Sequence, residues 1–158
     1  VPGDVEFYRD LAVASGGPVV ELGVGTGRIA IPTAAVGIEV IGIDLEPSML
    51  DVARRRAREA GVEARLRLEQ GDMRTFTVDA PVPLVTIPFR TFLHNVTEAD
   101  QHATLAACHR ALRPGGRLSL NVFNPDLAIL QRWAGPARRA QPYAAGRAEA
   151  NGMVKTGY

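Results

Sequence analysis

Apolar, β-branched runs recur along this chain with helix-patterned segments between them, and that alternation limits the fold more than any other feature. Residues 19–22, 40–43, 65–70, 84–87 and 117–123 read as strands. Strands separated by helices predict a parallel sheet, because a parallel connection needs a crossover of a dozen or more residues. Such a sheet is covered on both faces, so its strands are near-continuously apolar. At 158 residues the chain suits one domain of this kind and is short for two.

The helices between the strands carry recognisable ends. A first helix is expected over about residues 4–14. Pro47 suits a first helical turn, and the pattern runs to residue 60 before Gly61 closes it. Thr97 with Asp100 three residues on resembles a capping box with Asp in place of Glu. Pro114-Gly115-Gly116 is expected to end that helix and turn the chain into the last strand. Residues 125–133 read as one more helix, and 134–158 as an irregular tail rich in Ala, Gly, Arg and Pro. No internal repeat is visible.

After the first strand comes Glu21-Leu-Gly-Val-Gly-Thr-Gly-Arg28. A dinucleotide turn needs a small residue at the sixth position from its first glycine, and here that position is Arg28. Glu21, two residues before Gly23, is awkward beside a pyrophosphate and suits a ligand carrying positive charge. Two further acids end strands: Asp44 after Ile41-Gly-Ile, and Asp72 in Gln70-Gly-Asp-Met73. An acid at the end of the second strand can accept from ribose hydroxyls of any adenosine cofactor. Each feature alone has an ordinary structural explanation, as a tight corner, a helix-entry acid or a turn former.

Taken together these motifs resemble class I S-adenosylmethionine-dependent methyltransferases, over nearly the whole span from Phe7-Tyr8 to Phe123-Asn-Pro-Asp126. The resemblance implies an α/β, Rossmann-like, doubly wound and mostly parallel sheet flanked by helices. It implies S-adenosyl-L-methionine as cofactor, with Glu21, Gly23, Gly25 and Gly27 at its methionine end. Asp44 would take the ribose, Leu45 would pack on adenine, and Asp72 with Met73 would meet the adenine edge. Tyr8, with Phe7, would close over the cofactor, and Pro88 would begin the segment that brings the acceptor beside the methyl group. A helix directly after the glycines would turn its N-terminus to the methionine carboxylate. Val24 departs from the Cys or Ala of many relatives.

Methyl transfer from a sulfonium mainly requires positioning and exclusion of water, so a base is optional. In Pro88-Phe-Arg90-Thr-Phe-Leu-His94-Asn95, His94 is the histidine placed for a catalytic role, weighed evenly against a structural one, and Arg90 could orient an anionic acceptor. His102 and His109 lie on the following helix without a ligand set, so no metal is expected.

A net charge of +1 gives no field that argues for nucleic acid, and the run Arg54-Arg-Arg-Ala-Arg58 lacks interleaved aromatics. No apolar run approaches a membrane span, and the lone cysteine, Cys108, reads as a buried small hydrophobe. A cytoplasmic setting and a small-molecule acceptor are expected. The chain begins with valine, as a trimmed copy would. Residues 1–17, 18–133 and 134–158 are expected as N-terminal helix, core and tail of one domain with its C-terminal strands truncated. The last strand would then lie near a sheet edge, open to a homodimer. Two other functions stay open: a non-catalytic S-adenosylmethionine-binding or interaction domain, and an NAD-dependent oxidoreductase.

Overall fold

The computed structural model describes residues 3–122, which fall within one compact unit, Val1–Phe123. Five parallel strands form the sheet in the order β3-β2-β1-β4-β5. They are β1 (Val19–Leu22), β2 (Val40–Asp44), β3 (Leu66–Gln70), β4 (Val82–Ile87) and β5 (Leu112–Leu120). Every residue of β1 and of β4 is buried, as the apolar runs require of central strands. The chain starts in the middle, winds outward to β3 and returns to lay β4 against β1. The order therefore reverses between β1 and β4, and ligands of open α/β sheets bind at that point, beyond the carboxyl ends of the strands.

Four helices cover the sheet: α1 (Asp4–Ser15), α2 (Ala30–Ala35), α3 (Pro47–Glu59) and α4 (Glu98–Ala111). Their ends follow the sequence closely. Glu46 caps α3 by accepting from the Ser48 N–H at 3.3 Å, with Pro47 at the first position. Thr97 Oγ1 accepts from the Asp100 N–H at 3.1 Å and donates to the Asp100 carboxylate at 2.7 Å. The box is thus closed through the hydroxyl. One core packs Val20, Leu22, Val85, Ile87, Phe92 and Cys108 together, and a second joins Val24, Ala30, Leu50 and Leu66. Burial pushes the Cys108 thiol up to about 11, as a packed and unreactive cysteine should be.

Three expectations shift. The helix after the glycine turn starts only at Ala30 and has six residues, because residues 25–29 are spent in turns. So short a helix, with no side-chain cap at Ile29, offers no extended N-terminus to an anion. At the other end α4 stops at Ala111, and Leu112 is already extended at φ −82° and ψ 137°. The strand β4 also begins at Val82, before Pro83. Val82 pairs with Leu112 and Leu84 with Arg117, so Pro83 alone stands opposite residues 113–116. Proline has no N–H to give the ladder, and Pro114-Gly-Gly loops out there instead. Among the described residues β5 lies at an edge of the sheet. The expected helix over 125–133, the tail and the missing hairpin lie outside the described residues.

Candidate functional site

Two cavities open at the carboxyl ends of β1, β2 and β4. One, of about 280 Å³, is lined by Gly23, Ile43, Asp44, Leu45, Gly71, Met73, Thr91 and His94. The other, of about 300 Å³, is lined chiefly by the glycine turn, with Glu21, Arg28, Met49, Pro88, Phe89 and Thr91. Gly23 and Thr91 belong to both.

The glycine turn sits where it does because its backbone is unusual. Gly23, Gly25 and Gly27 have φ of 70°, 54° and 81°, a region other residues seldom enter. The N–H groups of Gly23 and Val24 both donate to the Ile43 carbonyl, at 2.8 and 3.1 Å, pressing the turn onto the end of β2. A Cβ on Gly23 would stand 2.2 Å from the Thr91 methyl. Gly42, inside β2, leaves the space that Val24 fills; a Cβ there would be 2.7 Å from Val24 Cγ2.

Asp44 ties the first cavity together. One carboxylate oxygen accepts from the Gly25 N–H at 2.7 Å and the other from the Glu46 N–H at 2.9 Å. Beside it, Leu45 is exposed and Met73 is buried, its sulfur accepting from the Asn95 amide at 3.3 Å. The wall is therefore apolar apart from Asp44, Thr91 and His94.

Glu21 gives the second cavity its character. It lies on β1 between Gly42 and Thr86 and is only 3% exposed. Burial pushes its carboxyl up to about 8, against the opposing pull of the nearby Arg28 cation. Among the described residues no hydrogen bond reaches that carboxyl. Arg28 is held in turn by a two-pronged pair with Asp4 on α1, at 2.7 and 2.8 Å. That pair keeps the Asp4 carboxyl below its ordinary range. The guanidinium of Arg28 lies 5.2 Å from the centre of the Phe89 ring and that of Arg90 lies 5.4 Å from it.

The remaining expected site residues divide. Pro88 lines the second cavity and His94 the first, on the side of Asp44. Arg90 lines neither; it is the left-handed cap of the short turn Thr91–His94, with its N–H donating to the Asn121 side chain at 3.4 Å. Asp72 follows the end of β3 as expected but also lines neither cavity. Its carboxylate is grasped by Arg74, at 2.6 Å to Nη2, and that contact holds it below the usual carboxylate range. Arg74 reaches on to Asp100 at 2.8 Å. Tyr8 and Phe7, expected together over the cofactor, are placed differently. Tyr8 is 4% exposed and donates to the Asn121 side chain at 3.2 Å, whereas Phe7 is 57% exposed.

The comparisons with known proteins agree with this geometry. A family model described as a methyltransferase domain matches residues 19–116, from β1 into β5. The chain belongs to the class I S-adenosylmethionine-dependent methyltransferases. It is similar to a ubiquinone biosynthesis O-methyltransferase of Xylella fastidiosa, 32% identical over 80% of this chain and 50% of that protein. A cypemycin N-terminal methyltransferase of a Streptomyces species is 33% identical over 85% and 51%. The solved glycopeptide N-methyltransferase MtfA complexed with sinefungin is 35% identical at a TM-score of 0.65, over 73% of this chain and 48% of that one. The chain spans about half the length of the curated relatives it matches.

Within this methyltransferase domain, sequence reasoning passed over three residues that shape the site. Thr91 forms part of both cavities, Met49 reaches the second from α3, and Asn95 anchors Met73. Only Asn95 left a signal, as a polar residue amid an apolar turn. The arginine run of α3 is engaged locally: Arg54 pairs with Asp51 at 2.8 Å, and Arg56 donates to the Thr26 hydroxyl at 2.8 Å. His102 stands 3.5 Å from Glu98 on the same helix. Among the described residues no helix is long and apolar enough to cross a membrane.

Proposed function

We propose that the domain binds S-adenosyl-L-methionine across both cavities and that the protein transfers its methyl group to a small-molecule acceptor. The observation that carries this reading is the shared wall of Gly23 and Thr91 between a cavity holding Asp44 and one holding the buried Glu21. The donor set fits. Asp44 accepts hydrogen bonds, as ribose hydroxyls require, and Leu45 and Met73 offer apolar surface to a purine. Glu21 can ionise beside an ammonium and a sulfonium, whereas a pyrophosphate would hold it protonated. When bound, S-adenosyl-L-methionine supplies an electrophilic methyl group on a sulfonium that leaves as a neutral thioether. The chain's own part is to orient that end, keep water from it and, for an acceptor that must lose a proton, receive the proton.

Arg90 and His94 close the two ends of the turn that carries Thr91, and we assign them to the acceptor: Arg90 to an anionic group, His94 to the proton. Asp72 would reach an adenine amino group only by loosening its hold on Arg74. Names of the similar proteins include both O- and N-methyltransferases, so the reading stays at the class of small-molecule acceptor. A cytoplasmic setting, independence from nucleic acid and membrane, and pairing of two copies through β5 belong to the same proposal. Calorimetry with S-adenosylmethionine, S-adenosylhomocysteine and NADH tests it. The first two are expected to bind and the third is not; binding of NADH alone overturns the reading.

A further inference from the structure

Thr91 is placed between the cavities in a way that a ligand spanning both must contend with. Its methyl group packs against Gly23 so closely that a Cβ there would overlap it at 2.2 Å, and no ligand atom fits between them as they stand. Its hydroxyl donates to the Pro88 carbonyl at 2.8 Å, which fixes the rotamer and turns the methyl toward Gly23. The turn behind it is strained: Phe89 and Arg90 hold φ of 54° and 67° without being glycine. A shift of that root would carry the turn and His94 at its far end with it.

We propose that Thr91 sets which ligands can occupy both cavities at once, its methyl group closing the passage over Gly23 until the turn Thr91–His94 shifts and then admitting only a slender link. This rests on the functional reading above, since a thioether or sulfonium joins the two ends of the proposed ligand. A ligand confined to one cavity never meets the barrier. Ligand-specific entry, rather than stability, is therefore the property that Thr91 controls.

The test compares association rates of S-adenosylhomocysteine and adenosine with the immobilised chain by surface plasmon resonance. Thr91→Ser keeps the hydroxyl and removes the methyl; Thr91→Val keeps the bulk. The serine variant is expected to bind S-adenosylhomocysteine about five- to tenfold faster, relief on the scale of one overpacked methyl group. Adenosine, which need not cross from one cavity to the other, should gain clearly less than S-adenosylhomocysteine in the serine variant, and valine should bind S-adenosylhomocysteine no faster than wild type. Equal acceleration of both ligands by serine, or of neither, overturns the assignment of Thr91 and leaves the functional reading intact. Failure of wild type and both variants to bind S-adenosylhomocysteine overturns the functional reading itself.

Discussion

Replacing Glu21 by glutamine removes a titrating group from the core while keeping its shape, and the consequence can be worked out with its sign. In the folded chain the carboxyl is pushed up to about 8, against an ordinary value of 4.5. Between those values the unfolded chain has lost the proton and the folded chain still holds it. Unfolding then releases a proton, so stability falls as pH rises, by about 1.4 kcal/mol per pH unit for one group. Below the lower value both states are protonated and the group contributes nothing. Above the upper one the whole penalty is in place. From pH 5.5 to pH 7.5 the wild-type chain should therefore lose about 3 kcal/mol relative to Glu21→Gln, a large part of a typical domain's stability. Urea unfolding of both proteins at those two pH values, each fitted for midpoint and slope, measures the difference directly. Two curves separated by the same gap at both pH values would refute the buried, protonated Glu21.

Gly23→Ala combines a left-handed backbone with a clash against Thr91, and is expected to cost about 2 to 4 kcal/mol in the same urea assay. It should also lower affinity for S-adenosylhomocysteine in calorimetry. Asp44→Asn leaves a carbonyl for only one of the two N–H donors at Gly25 and Glu46; a loss of about 1 to 2 kcal/mol in stability is expected, with weaker adenosine binding. His94→Gln should slow turnover by about 10²-fold or more, if the acceptor must lose a proton. Arg90→Ala, with an anionic acceptor, should raise KM; unchanged turnover in His94→Gln and unchanged KM in Arg90→Ala remove the pair from the mechanism.

The middle of the sheet was legible because β1 and β4 are central and parallel, and burial on both faces writes itself as an unbroken apolar run. The glycine turn was legible too, since only glycine enters those conformations without strain. What the sequence concealed are contacts between distant segments. Nothing in the local pattern at Thr91 tells that its methyl meets Gly23, or that Arg74 will grasp Asp72 and Asp100 together. The difference between Phe7 and Tyr8 has a similar origin: adjacent positions on a helix point about 100° apart. A weakly amphipathic helix such as α1 does not say which of the two turns inward. Glu21 lies between these cases. An acid inside a buried strand is visible as an anomaly, yet its lack of a hydrogen-bonding partner among the described residues is a fact of packing alone.

Arg28, whose presence at the sixth position argued against a dinucleotide, proves to be the charge that balances this corner. With Glu21 protonated, Arg28 and Asp4 leave the walls of the second cavity neutral. S-adenosylmethionine carries one carboxylate, one ammonium and one sulfonium, a net charge of +1, and S-adenosylhomocysteine lacks the sulfonium. A cation brought beside Glu21 favours the carboxylate, so binding near pH 7 should release a proton, more completely for S-adenosylmethionine than for S-adenosylhomocysteine. Calorimetric enthalpies measured in phosphate and in Tris, whose ionisation heats differ, count that proton. Glu21→Gln should abolish the buffer dependence, and equal release by both ligands would show that the sulfonium does not sit against Glu21. A pyrophosphate could only add negative charge to a cavity whose one adjustable group responds by holding its proton more tightly.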